Sequence, residues 1–201
     1  MKIIIITGPS GSGKTFLSNK LAKIFDNSIV VKTDSYYRDN FIIKILSLFA
    51  HDIYDRFISI KNKEIIKTIS SLYKKEKYTS FYNYDFSRKI SSKSTRQIKY
   101  RNNNGFIILE GIFAHRLDLN YNESINILCK ENKEICYQRR LKRDQKERNR
   151  NKKEINKRFN KSWNLYFRNL NRYINSNEVI SINISDENCC EKLINKIKES
   201  H

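Results

Sequence analysis

The sequence predicts an α/β fold built on a parallel sheet, and three observations carry that expectation. Short apolar runs alternate along the chain with longer amphipathic stretches. The first run, four isoleucines at 3–6, leads straight into Gly8-Pro9-Ser10-Gly11-Ser12-Gly13-Lys14-Thr15, which matches G-x-x-x-x-G-K-[ST]. Asp34 and Glu110 each stand at the carboxyl end of a further apolar run. Strands alternating with helices imply a parallel sheet covered on both faces, with ligands gathering at the carboxyl ends of the strands.

Residues 2–7 predict the first strand, since a continuous β-branched run is buried on both sides. The glycine-rich segment that follows lets consecutive backbone N–H groups turn inward as a nest for phosphate oxygens. Lys14 is placed to reach the β- and γ-phosphates and Thr15 to ligate Mg²⁺. A helix over 14–25, with Phe16, Leu17, Leu21, Ile24 and Phe25 apolar, aims its positive end at the same anion. The G-x-G-x-x-G spacing of a dinucleotide site is absent. The expected ligand is a nucleoside triphosphate, and the sheet is of the P-loop NTPase type.

A second strand over 28–33 ends at Asp34. Helices are expected over 41–49 and 62–77, the latter with Ile65, Ile66, Ile69 and Leu72 on one face. A turn at 102–105 precedes a buried strand over 106–109, closed by Glu110-Gly111. Residues 125–129 form another strand, 133–147 a basic helix and 152–173 a long helix. A last strand over 179–184 and a helix over 189–199 complete the order.

At 201 residues the chain reads as one domain, 1–201. Its only proline is Pro9, so no proline-rich linker is marked, and no internal repeat is present. The N-terminal apolar run is too short for a signal peptide, and residues 41–50, interrupted by Lys44, are about half a membrane span. Cys129, Cys136, Cys189 and Cys190 form no C-x-x-C pair, so reduced thiols and a cytoplasmic location are expected. The formal charge is +19, and residues 139–172 hold 14 Lys/Arg against Asp144, Glu147 and Glu154. Such a stripe suits nucleic-acid binding or a lid that closes over phosphates. Its coincidence with the arginines below favours a lid at about 139–160.

Asp34 lies 20 residues beyond Lys14. A carboxylate at that strand tip can take the proton of an attacking hydroxyl, worth about 10²–10⁴-fold in rate; Asp34-Ser35 is also good capping chemistry. Glu110 suits a Mg²⁺ ligand, direct or through water, or a cap on the following turn. Within 139–150, Arg139 and Arg143 share a helix face, as do Arg140 and Arg143, and Arg148 and Arg150 follow. Asp144 and Glu147 are spaced to hold some of these guanidiniums. His51 and His115 are expected to pack rather than to ligate.

These residues resemble the uridine kinase (uridine/cytidine kinase) family, part of the phosphoribulokinase/uridine kinase group. The phosphate loop is shared, Asp34-Ser35-Tyr36-Tyr37-Arg38 resembles Asp-Ser-aromatic-Tyr-Arg, Tyr84-Asp85-Phe86 resembles Tyr-Asp-Phe, and Glu110-Gly111-Ile112 resembles Glu-Gly-Ile. The run Arg139-Arg140-x-x-Arg143-Asp144-x-x-Glu147-Arg148-x-Arg150 resembles the family's lid. The resemblance implies ATP as donor, Asp34 as general base with Lys14 on the transferred phosphate, and Thr15 and Glu110 at Mg²⁺. It puts Arg143 and Arg148 on phosphates, and Tyr37, Asp55, Tyr84, Ile112, Arg140 and Arg150 around a nucleoside, Asp55 holding ribose hydroxyls. Homo-oligomers follow by analogy.

The departures fall on recognition. Asp-His-Pro reads Asp55-Arg56-Phe57, the histidine expected after Tyr-Asp-Phe is missing, the lid glycine is Asn149, and Gln-Tyr reads Arg158-Phe159. The leading expectation is phosphorylation of the 5′-hydroxyl of uridine or cytidine. A kinase of the same group acting on another small alcohol (a sugar phosphate or pantothenate), a polynucleotide 5′-kinase, and a module that binds nucleotide without transfer are the alternatives.

Overall fold

The computed structural model describes residues 1–49, 53–100, 105–117, 119, 124–148 and 150–199. Its centre is a five-stranded parallel sheet in the order β2-β5-β1-β6-β7, formed by β1 (Lys2–Thr7), β2 (Ile29–Lys32), β5 (Phe106–Glu110), β6 (Ser124–Lys130) and β7 (Val179–Asn183). The α/β parallel sheet read from the apolar runs is therefore present.

The isoleucine run shows why β1 sits at the middle. Successive side chains of a strand point to opposite faces. Ile3 and Ile5 enter one core with Val31, Ile107 and Leu109, against α3 (Asn62–Tyr73). Ile4 and Ile6 enter the other with Ile108 and Ile127, against α1 (Lys14–Ile24) and α6 (Glu187–Glu199). Burying an isoleucine side chain contributes about 1.5–3 kcal/mol, so both halves of the run hold helices to the sheet.

Two expectations need correction. The helix predicted to run to residue 77 stops at Tyr73, where Lys75 takes a positive φ of 55° and Glu76 N donates to Ser71 O. Lys74, Lys75 and Glu76 offer the core no apolar side chain to extend it. In addition, residues 78–97, to which periodicity assigns no element, form an antiparallel hairpin of β3 (Tyr78–Asp85) and β4 (Ile90–Gln97). β4 is exposed almost throughout, so its sequence carries no apolar period. Asp85 Oδ1 builds the turn by accepting from Ser87 N and Arg88 N at 2.8 and 2.9 Å.

The remaining helices are α2 (Phe41–Phe49), α4 (Lys133–Arg148) and α5 (Lys152–Ser176). Asn151 caps α5, its Oδ1 accepting from Glu154 N at 2.8 Å. The long α5 packs through Tyr166 and Leu170 on Leu128 of β6. Among the described residues no helix is long and apolar enough to cross a membrane. The turn expected at 102–104, His51 and Asn149 lie outside the described residues.

Candidate active site

β1 delivers the chain into the phosphate loop at the carboxyl edge of the sheet. Gly13 caps α1 with φ 89°, a left-handed conformation that excludes larger residues at little cost only to glycine. The first turn of α1 contains no acidic residue, so its amide end meets no carboxylate of its own. Lys14 is buried, and its Nζ donates to Pro9 O at 2.8 Å, which folds the ammonium back over the loop.

Three oxygen-bearing groups converge beside it. Thr15 Oγ1 donates to Glu110 Oε1 at 3.1 Å. Glu110 is the last residue of β5, in register with Ile6 and Lys32, and is 5% exposed. Burial raises its pKa, Lys14 opposes that shift, and the nearby Asp34 carboxylate adds to it. Asp34 lies on a single 3₁₀ turn, residues Thr33–Tyr36, directly after β2; its Oδ1 is buried with no hydrogen-bond partner among the described residues. Two crowded carboxylates with a hydroxyl form a hard-oxygen set that fits Mg²⁺. Among the described residues no group of three or more His, Cys, Asp or Glu side chains is arranged for a metal, so phosphate and water would supply the other ligands.

The basic helix α4 closes the site from above, and its geometry turns on Asp144. That carboxylate is 0% exposed. Oδ1 accepts from Arg143 at 2.9 Å and lies 3.4 Å from Arg148 Nη1, while Oδ2 accepts from Arg150 at 3.1 Å and lies 3.6 Å from Arg140 Nε. Burial works against the charge, but Arg143, Arg148 and Arg140 overcome it and hold the carboxyl below its ordinary pKa. Glu147, expected to share this duty, is exposed. Arg143 also donates to Ser10 Oγ at 3.3 Å, and Arg139 to Gly11 O at 3.2 Å, which ties α4 to the phosphate loop.

A cavity of about 410 Å³ joins these parts, a volume typical of small-molecule sites. Of the residues expected in a site, Ser10, Gly11, Gly13, Lys14, Thr15, Asp34, Tyr37, Tyr84, Glu110, Ile112, Arg140, Arg143, Arg148 and Arg150 line it. Gly8, Pro9 and Ser12 stand outside the lining, with Ser12 fully buried. The side chain of Asp55 lies outside the described residues.

The wall opposite the phosphate loop is aromatic. Tyr37 centres it, with ring centroids 5.9 Å from Tyr54, 5.3 Å from Tyr84 and 5.6 Å from Phe86. The hydroxyls of Tyr54 and Tyr84 are buried beside each other, and burial, followed by the hydrogen bond with Tyr54, pushes the Tyr84 pKa well up. Arg148 lies 4.1 Å over the Phe86 ring, joining α4 to the hairpin. Sequence reasoning did not name Phe16, Tyr54, Phe86, Lys89, Arg139 and Arg158 as site residues, and all six line the cavity. Phe86 and Tyr54 adjoin the named Asp85 and Asp55, which was the available signal. Tyr36, beside Tyr37, turns away into the core and donates to Thr68 Oγ1 at 3.0 Å.

The sequence matches the model of the phosphoribulokinase/uridine kinase family over residues 3–188. The chain belongs to that family. No curated protein sequence matches it. Among solved structures it is similar to one described as a possible uridine kinase from Bacillus stearothermophilus, with TM-score 0.57 and 15% identity over 89% of this chain and 88% of that one. It is also similar to the YGR205w protein, with TM-score 0.61 and 14% identity over 90% and 85%. Deoxyadenosine kinase from M. mycoides with bound dATP gives TM-score 0.50 and 13% identity over 98% and 100%. At such identities these likenesses establish the fold alone.

As a phosphoribulokinase/uridine kinase family member, the protein is a phosphotransferase, and the phosphate loop, Asp34, Glu110 and the α4 arginines line one cavity. Two of its departures reach the same cavity. Arg158 lines the cavity while its Nε donates to Glu154 Oε1 at 2.8 Å, and Lys89 reaches it from the hairpin turn at φ 55°. His115, three residues beyond Ile112, faces away from this chemistry. Its Nδ1 lies 2.9 Å from Thr7 Oγ1, its ring packs on Tyr166 and Tyr173, and burial and then Arg116 push its pKa down to about 4.

Proposed function

We propose that the protein transfers the γ-phosphoryl group of ATP to the 5′-hydroxyl of uridine or cytidine, forming the nucleoside monophosphate and ADP. The observation that carries this reading is Asp34: a buried, unpartnered carboxylate oxygen sharing one cavity with Lys14 and with an aromatic wall suited to a nucleobase. Asp34 accepts the proton of the 5′-hydroxyl, whose oxygen bonds to the γ-phosphorus as the bond to the β–γ bridging oxygen breaks. Lys14, Arg143 and Arg148 offset charge on the transferred group, and the loop amides of Gly8, Pro9, Ser10, Gly11, Ser12 and Gly13 cradle the phosphates. Mg²⁺, when held at Thr15 and Glu110, neutralises phosphate charge.

On the acceptor side Tyr37, Tyr84 and Ile112 take the base and ribose, with Arg140 and Arg150 at the rim and Asp55 on the ribose hydroxyls. The similarity to a structure described as a possible uridine kinase supports the same reading. Four free cysteines are consistent with a cytoplasmic location, and homo-oligomeric assembly is proposed by analogy.

A second reading rests on Lys89 and Arg158, which add cationic groups to the acceptor side. They suit an acceptor that carries an anion beside its hydroxyl, such as a sugar phosphate. Mg²⁺-dependent ADP release with uridine, cytidine, pantothenate, ribulose 5-phosphate and a 5′-hydroxyl oligonucleotide separates the readings, and turnover confined to the sugar phosphate would replace the first with the second.

A further inference from the structure

Asp144 divides its two oxygens between two sets of arginines. Oδ1 serves Arg143 and Arg148, and Arg143 continues to Ser10 of the phosphate loop. Oδ2 serves Arg150 and Arg140. Arg140 continues away from the loop, donating to Ser162 Oγ of α5 at 2.6 Å, and Arg150 reaches Glu154 of α5 at 3.8 Å. Arg148 touches both sides, because its guanidinium also lies over Phe86.

One fully buried carboxylate meets four cations, and Arg150 also reaches a second carboxylate, Glu154. The guanidiniums therefore compete for it, and because Asp144 itself has no exposed surface that competition is only partly screened. Withdrawing one pair leaves the carboxylate's charge to the other.

We propose that Asp144 is a positioning residue that couples the two halves of the site. Nucleotide phosphates draw Arg143 and Arg148 away from Oδ1, and the carboxylate then holds Arg140 and Arg150 firmly in the acceptor wall. This rests on the assignment of those pairs to donor and acceptor under Proposed function. The consequence is that each substrate strengthens the binding of the other, by the same factor in both directions. A carboxylate that merely stabilised the lid would weaken both substrates and leave that factor untouched.

The test is a thermodynamic cycle. Uridine affinity is measured by calorimetry with and without saturating Mg²⁺ and β,γ-imido-ATP, and nucleotide affinity with and without saturating uridine. In the wild type each ligand tightens the other about fivefold or more. In Asp144→Asn both still bind, but the factor falls to about one; a folded variant that keeps the wild-type factor overturns the proposal. The wild type supplies a second arm that needs neither variant folding nor acceptor. NMR of the arginine Nε–H groups should show Arg140 and Arg150 gaining protection from solvent exchange on addition of Mg²⁺ and β,γ-imido-ATP alone. A response confined to Arg143 and Arg148 overturns the coupling. Failure of uridine to bind the wild type would instead remove the nucleoside reading, while the arginine measurement still decides the role of Asp144.

Discussion

Thr15 Oγ1 donates a hydrogen bond to Glu110 Oε1 across 3.1 Å, which joins the first turn of α1 to the last residue of β5. The pair sits where the sheet stops, so backbone geometry rather than long side chains sets its position. It leaves a buried carboxylate beside Asp34, an arrangement that costs stability unless a cation or proton relieves it.

Glu110→Gln should therefore stabilise the ligand-free protein while suppressing turnover. The raised pKa means that the folded state holds its proton more tightly than the unfolded chain does. The penalty is absent below the unfolded value of 4.5 and fully present above the folded one. Thermal melts at pH 7 should show the variant more stable than the wild type, with the gap closing below about pH 4.5. A less stable variant at pH 7 would contradict the assignment.

Asp34→Asn keeps the shape of the 3₁₀ turn but removes the proton acceptor. Turnover should fall about 10²–10⁴-fold, with nucleotide affinity retained. Steady-state rates paired with nucleotide titration check this, and unchanged turnover would remove Asp34 from the chemistry.

Much of this site was legible in the sequence because two patterns coincide. Continuous apolar runs mark buried parallel strands, and the residues that end them (the loop after Thr7, Asp34, Glu110) must then lie along one edge. The hairpin was not legible, because β4 reads Ile-Ser-Ser-Lys-Ser-Thr-Arg-Gln and buries almost nothing. Helical spacing predicted that Asp144 and Glu147 would hold some of these guanidiniums; Asp144 meets Arg140 and Arg148, while Glu147 is exposed. That spacing could not predict Arg150, which lies beyond the end of α4 and turns back so that its own N–H donates to Asp144 O at 3.3 Å.

His115 gives a pH-dependent stability that is independent of catalysis. Its folded pKa, pushed to about 4, lies below the ordinary 6.5, so the neutral ring is the form that packs among Thr7, Tyr166 and Tyr173, with Arg116 beside it. The contribution is fully present above pH 6.5 and is lost as pH falls toward 4, on the order of 3 kcal/mol. Denaturant melts of His115→Gln against the wild type should show this acid slope reduced. Parallel slopes for the two proteins would show that His115 does not titrate on unfolding.

Gly111 holds φ 150°, and a Cβ there would overlap Thr33 Oγ1. Gly111→Ala should cost about 1–3 kcal/mol and displace the turn that carries Ile112 into the cavity. A denaturant midpoint equal to that of the wild type would show that the turn accommodates the methyl group.

The most direct test of the central claim is Mg²⁺-dependent ADP release from ATP with uridine or cytidine as the sole added acceptor, followed by identification of the product. The account predicts turnover that yields the nucleoside 5′-monophosphate and collapses in Asp34→Asn. Absence of turnover with either nucleoside, alongside turnover with ribulose 5-phosphate, pantothenate or a 5′-hydroxyl oligonucleotide, would contradict it.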